Sequence, residues 1–267
     1  QKDLKVEDIL AQALSEPMPT EERLRQVEQA LETFKSLGLL GGEDARDLHL
    51  LLTLGRTYER LSHLEKAYET YETALKLAER HNDDASKAEL LSQMGRVLTR
   101  WQRWDEAMSY LEQSSQVYEK LGDVLGQVQT IVRRGTVYSE QGNYEAAQEV
   151  YEQALRLGER IDDKKTIARV NNNMAILATI QGNLNEAITQ YEACLVMYAE
   201  LGDERGMASA YHNLGMTHAD QEDWTSAMDA YEKGFEAAQK SGHLDIMANV
   251  HLSMAEVMLE MGNSMMV

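Results

Sequence analysis

From Thr166 to Gln181 the apolar residues Ile167, Val170, Met174, Leu177 and Ala178 return at steps of three and four, which places them on one face of a helix. Gly182-Asn183 interrupts that pattern. Leu184, Ala187, Ile188, Tyr191, Cys194, Leu195 and Tyr198 then resume the same steps and predict a second helix. Asn183 is expected to cap it, because its side chain can accept from an early backbone N–H. Gly202-Asp203 is expected to end that helix and cap the next. Alternation with a period of two is absent along the chain, so no sheet is predicted.

The helix pair recurs. Gly55, Gly95 and Gly135 stand forty residues apart, and the series continues through Ala175, Gly215 and Ala255, all small. A second register is invariant: Ala67, Ala107, Ala147, Ala187 and Ala227. A third is aromatic with one exception, running Tyr71, Leu111, Tyr151, Tyr191, Tyr231. A fourth is small, from Ala74 and Ser114 through Ala154 and Cys194 to Gly234, and a fifth holds Asp83, Asp123, Asp163 and Asp203. Small residues let antiparallel helices approach; Gly135 against Ala147 and Ala154, with Tyr138 and Tyr151 filling the space between units, is the expected packing. One pair alone exposes an apolar face and stacking covers it, so the pattern predicts an α-solenoid.

Leu54-Gly55-x-x-Tyr58, Arg134-Gly135-x-x-Tyr138 and Leu214-Gly215 on first helices, with Gly142-Asn143-Tyr144-x-x-Ala147 and Tyr151-x-x-Ala154 on second helices, resemble the tetratricopeptide repeat family from about Gly42 onward. The resemblance implies an all-α fold: a right-handed superhelical α-solenoid of stacked antiparallel helix pairs, with the first helices on its concave side. Two departures stand out. The family's usual unit is 34 residues, and its proline near the end of the second helix is replaced by Glu79, Glu119, Glu159, Ala199 and Gln239. Both point to lengthened helices, as in the long-repeat subgroup that includes kinesin light chains, Rap-type peptide receptors and bacterial regulators. The expected organisation is a divergent N-terminal cap over 1–42 carrying Pro17 and Pro19, five 40-residue pairs over 43–243, and the first helix of a further, truncated or capping unit over 244–267. The chain is expected to be a module of a larger protein.

Charge narrows the partners. With 26 Lys and Arg against 45 Asp and Glu among 267 residues, the net charge is −19, which repels nucleic-acid backbones and anionic membrane surfaces. Proline is nearly absent, with 2 residues, as long helices require. One cysteine, Cys194, excludes an internal disulfide and a thiolate zinc cluster, and fits a cytoplasmic location.

Catalytic patterns are missing. No phosphate-binding loop, nucleophile elbow or HExxH is present, and Gly38, Gly41 and Gly42 follow a helix instead of opening one. His212 and His218 are six apart and fall on different helix faces. Cys194 occupies a register of small residues and reads as core. Trp104 and Trp224 share a register with Leu64, Tyr144 and Leu184 and read as packing; Trp101 lies off that register. The expectation is no enzyme, no cofactor and no metal.

The acidity is unevenly placed. The first helices of the five pairs sum to about +2 and the second helices to about −10. The register places Arg56, Arg60, Arg96, Arg100, Arg133, Arg169, Asn172, Asn173, Ile176, His212, Asn213 and Met216 along the first-helix face, with Ile180 and Leu252 in the later half. Guanidinium groups suit carboxylates and asparagine amides suit peptide backbone. A peptide or partner helix is therefore expected in this groove, its acidic part near Arg56, Arg96 and Arg133 and its apolar part near Ile176 and Met216. The competing reading is that these arginines bridge Glu59, Glu89 and Glu140 of neighbouring units. The lysine and asparagine of the family's chaperone-binding carboxylate clamp are not at their two positions, which hold Leu52, Ser92, Val132, Asn172, His212 and Arg56, Arg96, Thr136, Ile176, Met216. The expected function is a non-catalytic protein-interaction scaffold. The alternative is a peptide-sensing regulatory module whose superhelix changes pitch on binding; a weaker third is an enzyme whose catalytic part lies elsewhere.

Overall fold

The computed structural model describes residues 45–264 continuously, together with Glu22, Arg25, Gln26, Glu28, Gln29 and Glu32, which are helical. The rest of the expected N-terminal cap, including Pro17 and Pro19, and Met265-Met266-Val267 lie outside the described residues. Within the continuous run every element is an α-helix and no strand occurs among the described residues. Helix α1 is Ala45–Arg60, α2 Leu64–Arg80, α3 Asp84–Arg100, α4 Trp104–Leu121 and α5 Val124–Glu140. Helix α6 is Tyr144–Arg160, α7 Lys164–Ile180, α8 Leu184–Leu201, α9 Glu204–Asp220, α10 Trp224–Ser241 and α11 Leu244–Ser264.

The boundaries follow a half-repeat of twenty residues. A left-handed residue stands at Ser62, Asn82, Gln102, Gly122, Gly142, Asp162, Gly182, Gly202, Glu222 and Gly242, closing each helix. Glycine meets that requirement without strain, whereas Glu222 at φ 60° does not. The next helix opens on a cap. Asp83, Asp123, Asp203 and Asp223 each accept from the backbone N–H three residues on, and Asn143 does the same at Ala146. Asn183 occupies the expected capping position but makes no side-chain cap bond, and Asp163 takes the Thr166 hydroxyl instead of a backbone N–H.

The chain divides into two compact units, 1–141 and 142–267. In the first, α1 to α5 pack each on the next, and α3 also touches α5. Its core holds Leu48, Leu54, Tyr58, Tyr71, Leu90, Met94 and Val97, with Leu98, Leu111 and Val137 continuing it. In the second, α6 to α11 pack in order, while α7 also touches α9 and α9 touches α11. Its core is built on Ala175, Tyr191, Cys194, Tyr198, Ala210 and Leu214, then Tyr231, Val250 and Val257. First helices of successive pairs thus meet at α3–α5 in the first unit and at α7–α9 and α9–α11 in the second.

The repeating registers do the packing expected of them. Tyr71, Leu111, Tyr191 and Tyr231 are almost wholly buried, each contributing about 1.5–3 kcal/mol in apolar burial. A Cβ on Gly55, Gly95 or Gly215 would run into Tyr71, Leu111 or Tyr231. A further rule was invisible in the sequence: the last turns of α4, α6, α8 and α10 each share one space with the first turn of the following helix. Tyr118 fills it against Gly126 and Tyr198 against Gly206, while Gly158 faces Thr166 and Ala238 packs beside Ile246. Large meets small at each of these joints.

Candidate functional site

In the first unit the arginines expected to face a ligand are already engaged. Arg56 on α1 forms an ion pair with Glu89 on α3. Arg96 on α3 reaches back, its Nη2 2.5 Å from Glu59 Oε2 on α1. Arg100 donates from Nη1 to the Glu59 carbonyl at 3.0 Å and from Nη2 to Ser62 Oγ at 3.4 Å. The Tyr71 hydroxyl donates to the same Glu59 carboxylate at 3.2 Å. Glu59 is thus a buried acid holding two guanidinium groups and a phenol. Arg133 is half-buried near Tyr118, whose hydroxyl pKa is pushed up to about 12 by burial and by Glu89, with Arg133 opposing. The neighbouring Arg134 on α5 approaches Glu112 on α4 at 3.6 Å. Arg60 lies at the end of α1, and its side chain is outside the described residues.

The competing reading therefore holds for Glu59 and Glu89, which bridge Arg96, Arg100 and Arg56. The expected open row of arginines in the first half is a row of internal ion pairs. Glu59 is one of the bridging acids that the competing reading named. It stands in a register otherwise filled by Thr99, Ser139, Thr179, Ala219 and Leu259, and that single acid among uncharged residues was the available signal.

In the second unit the corresponding row is different. Arg169, Asn172, Asn173 and Ile176 lie on α7, and His212, Asn213 and Met216 on α9. Arg169 is half-buried; its Nε and Nη2 have no acceptor among the described residues, and the buried Asn172 Oδ1 has no donor. Burial pulls the Arg169 pKa below the ordinary arginine value, with Tyr198 and Asp163 acting against that shift. Asn173, Ile176 and Asn213 are half-buried, and Met216 is exposed, as is Ile180 one turn beyond Ile176. His212 departs from the expected ligand role: its Nε2 is 3.1 Å from Ser253 Oγ on α11, and its ring sits 5.9 Å from that of Tyr231. Desolvation lowers its pKa, so it is a neutral interhelix residue.

The remaining candidates are structural. Cys194 is fully buried, its Sγ donating to the Tyr191 carbonyl at 3.1 Å, and its thiol pKa is pushed up to about 12 by burial. Trp101, off the repeat register, meets Tyr68 edge-on at 6.4 Å beneath the Arg103 guanidinium, which Glu106 holds through both oxygens. Among the described residues no three His, Cys, Asp or Glu side chains converge as metal ligands, and no helix is long and apolar enough to cross a membrane.

Comparison with known proteins matches this arrangement to tetratricopeptide repeat models at residues 48–81, 86–160 and 166–240. The chain belongs to the tetratricopeptide repeat family. No curated protein matches the sequence. Among solved structures, a Rap protein complexed with competence and sporulation factor aligns at TM-score 0.71 and 16% identity, covering 96% of this chain and 77% of that one. The Rap conjugation gene regulator of the plasmid pLS20, in complex with a Phr peptide, gives TM-score 0.71 at 14% identity over 92% of this chain and 76% of that one. Aspartyl phosphate phosphatase F from Bacillus subtilis gives 0.66 at 17% identity over 95% and 69%. These likenesses establish a tetratricopeptide-type α-solenoid fold.

Proposed function

We propose that this chain is a non-catalytic peptide-binding module whose site is the first-helix face of α7 and α9. The observation that carries the reading is chemical. On that face Arg169 Nε and Nη2 and Asn172 Oδ1 lack partners among the described residues, and they stand in the same row as exposed Ile180 and Met216. Amides that can donate and accept suit the backbone of an extended segment, and the apolar side chains suit its residues. The pLS20 regulator, solved with a peptide, has the same fold. The absence of a catalytic motif in the sequence supports a binding role over a phosphatase role like that named for the Bacillus subtilis relative in fold. The single cysteine, buried and reduced, supports a cytoplasmic setting.

The test is retention of randomised hexapeptides on the immobilised chain. Wild type should retain a subset, and Asn173→Ala with Asn213→Ala should weaken retention about tenfold, the loss of one or two net hydrogen bonds. Equal retention by the double variant would reject the site. The pLS20 likeness also favours a second reading, a peptide-responsive regulator, for which ligand should change the radius measured by small-angle scattering. A scaffold would leave it unchanged.

A further inference from the structure

Positions eighty residues apart occupy equivalent places in the two units. In the first unit, Glu89 takes Arg56, and Tyr118 lies beside Glu89 and Arg133. In the second, those three places hold Arg169, Tyr198 and Asn213. The acid has become a cation, and Asp163 acts on it only through its charge, without an ion pair. Among the described residues no carboxylate forms an ion pair with Arg169, and its Nε and Nη2 meet no acceptor. A guanidinium removed from water without an anion or acceptors is unfavourable, and folded chains ordinarily pair it. The arginines of the first unit follow that rule through Glu59, Glu89 and Glu112. Arg169 does not, and one turn along α7 from it Asn172 also carries a buried oxygen without a donor.

We propose that Arg169 receives a carboxylate of the bound peptide, and that Arg56 and Arg96 do not take part. This rests on the reading of α7 and α9 as a peptide site and names the chemistry of its ligand. A carboxylate fits because the guanidinium fork donates to both of its oxygens in one plane. The anion would supply the ion pair that the described residues do not. It also relocates the acidic end of the ligand from the first unit, where the groove arginines are neutralised, to the second.

Three capped hexapeptide libraries on the immobilised full chain test this. One carries a single fixed Glu, one carries Gln in its place, both amidated at the C-terminus, and the third carries Gln with a free C-terminal carboxylate. Wild type should retain one or both carboxylate libraries about tenfold better than the amidated Gln library, as a charge-assisted hydrogen bond implies. The favoured library identifies a side-chain or a terminal carboxylate. Arg169→Gln should erase the preference; Arg169→Lys should keep part of it; Arg56→Gln and Arg96→Gln should keep all of it. A preference that survives Arg169→Gln overturns the inference and leaves the peptide site standing. Failure of wild type to retain any library overturns both. A second readout needs no ligand: Arg169→Met should leave the thermal midpoint equal or higher, because a desolvated cation without an ion pair among the described residues is removed. A fall in midpoint as large as that of Arg96→Met would show an internal partner for Arg169 and overturn the assignment.

Discussion

Arg96 meets Glu59 unequally: the two groups are 2.5 Å apart, but Glu59 keeps only 6% of its side chain exposed while Arg96 keeps 40%. The acid depends on the base more than the base depends on the acid. Arg96→Gln leaves a buried carboxylate short of its main partner and should cost about 1–3 kcal/mol, less than a fully buried pair because Arg96 reaches water and Arg100 remains. Glu59→Gln frees two guanidinium groups that can turn outward and should cost about 1 kcal/mol or less. The double variant should cost less than the sum of the two. Urea unfolding of the three variants reads all of this, and equal costs for the single changes would contradict it.

Joint packing predicts a compensating swap. Gly126→Ala places a methyl against the Tyr118 ring and should destabilise by about 1–2 kcal/mol, the overpacking outweighing the helix preference of alanine. Gly126→Thr alone should be worse. Gly126→Thr combined with Tyr118→Gly copies the Gly158–Thr166 joint of the second unit and should recover most of the loss. Thermal melts of the three variants check the order.

Alkaline stability should fall in a defined window. Burial raises the pKa of Tyr118 and Tyr191 from 10.0 to about 12. Both are neutral in the folded and unfolded states below pH 10, so their contribution is fully present there. Between pH 10 and 12 the unfolded chain ionises first, and stability is lost at about 1.4 kcal/mol per pH unit per tyrosine. Denaturant midpoints from pH 9 to 12 measure the slope; Tyr118→Phe should reduce it, and a flat profile would refute the assignment.

Cys194 should be unreactive while the chain is folded. Its thiol is buried and stays protonated well above pH 8. A disulfide reagent at pH 8 should label it only at the rate of unfolding, and immediately in urea. Rapid labelling without denaturant would mean that α8 opens locally.

His212 should make the fold acid-sensitive in the second unit. Desolvation depresses its pKa, so it stays neutral in the folded chain at a pH where the unfolded chain takes up a proton. Its contribution is present above about pH 6.5 and is lost as pH falls through its folded value. His212→Asn should flatten the stability profile between pH 7 and 5, read by denaturant midpoints, and an unchanged profile would count against this.

Most of the architecture was legible without coordinates. Helix pairs, their forty-residue spacing, the small and aromatic contact registers and the left-handed turn at Gly202 follow from residue types at fixed intervals, because every repeat meets nearly the same neighbour. The cap expected at Asp203 forms, and the one expected at Asn183 does not, since its side chain has no backbone cap bond. The site was legible only as a list of residues. Which arginines were open was not.

By itself, the sequence determined periodic quantities: which positions are apolar, where chains turn, which helices are acidic. Such properties survive averaging over repeats, since they depend on residue type and on one spacing. Only the tertiary structure decided the diagonal ones. Arg56 pairs with Glu89 across 33 residues and Arg96 with Glu59 across 37, one or two helical turns short of the repeat, so neither the helical step nor the forty-residue step connects them. Charge neutralisation acts between side-chain ends over a few ångströms, and Arg169, in a place that Glu89 fills eighty residues earlier, forms no ion pair among the described residues.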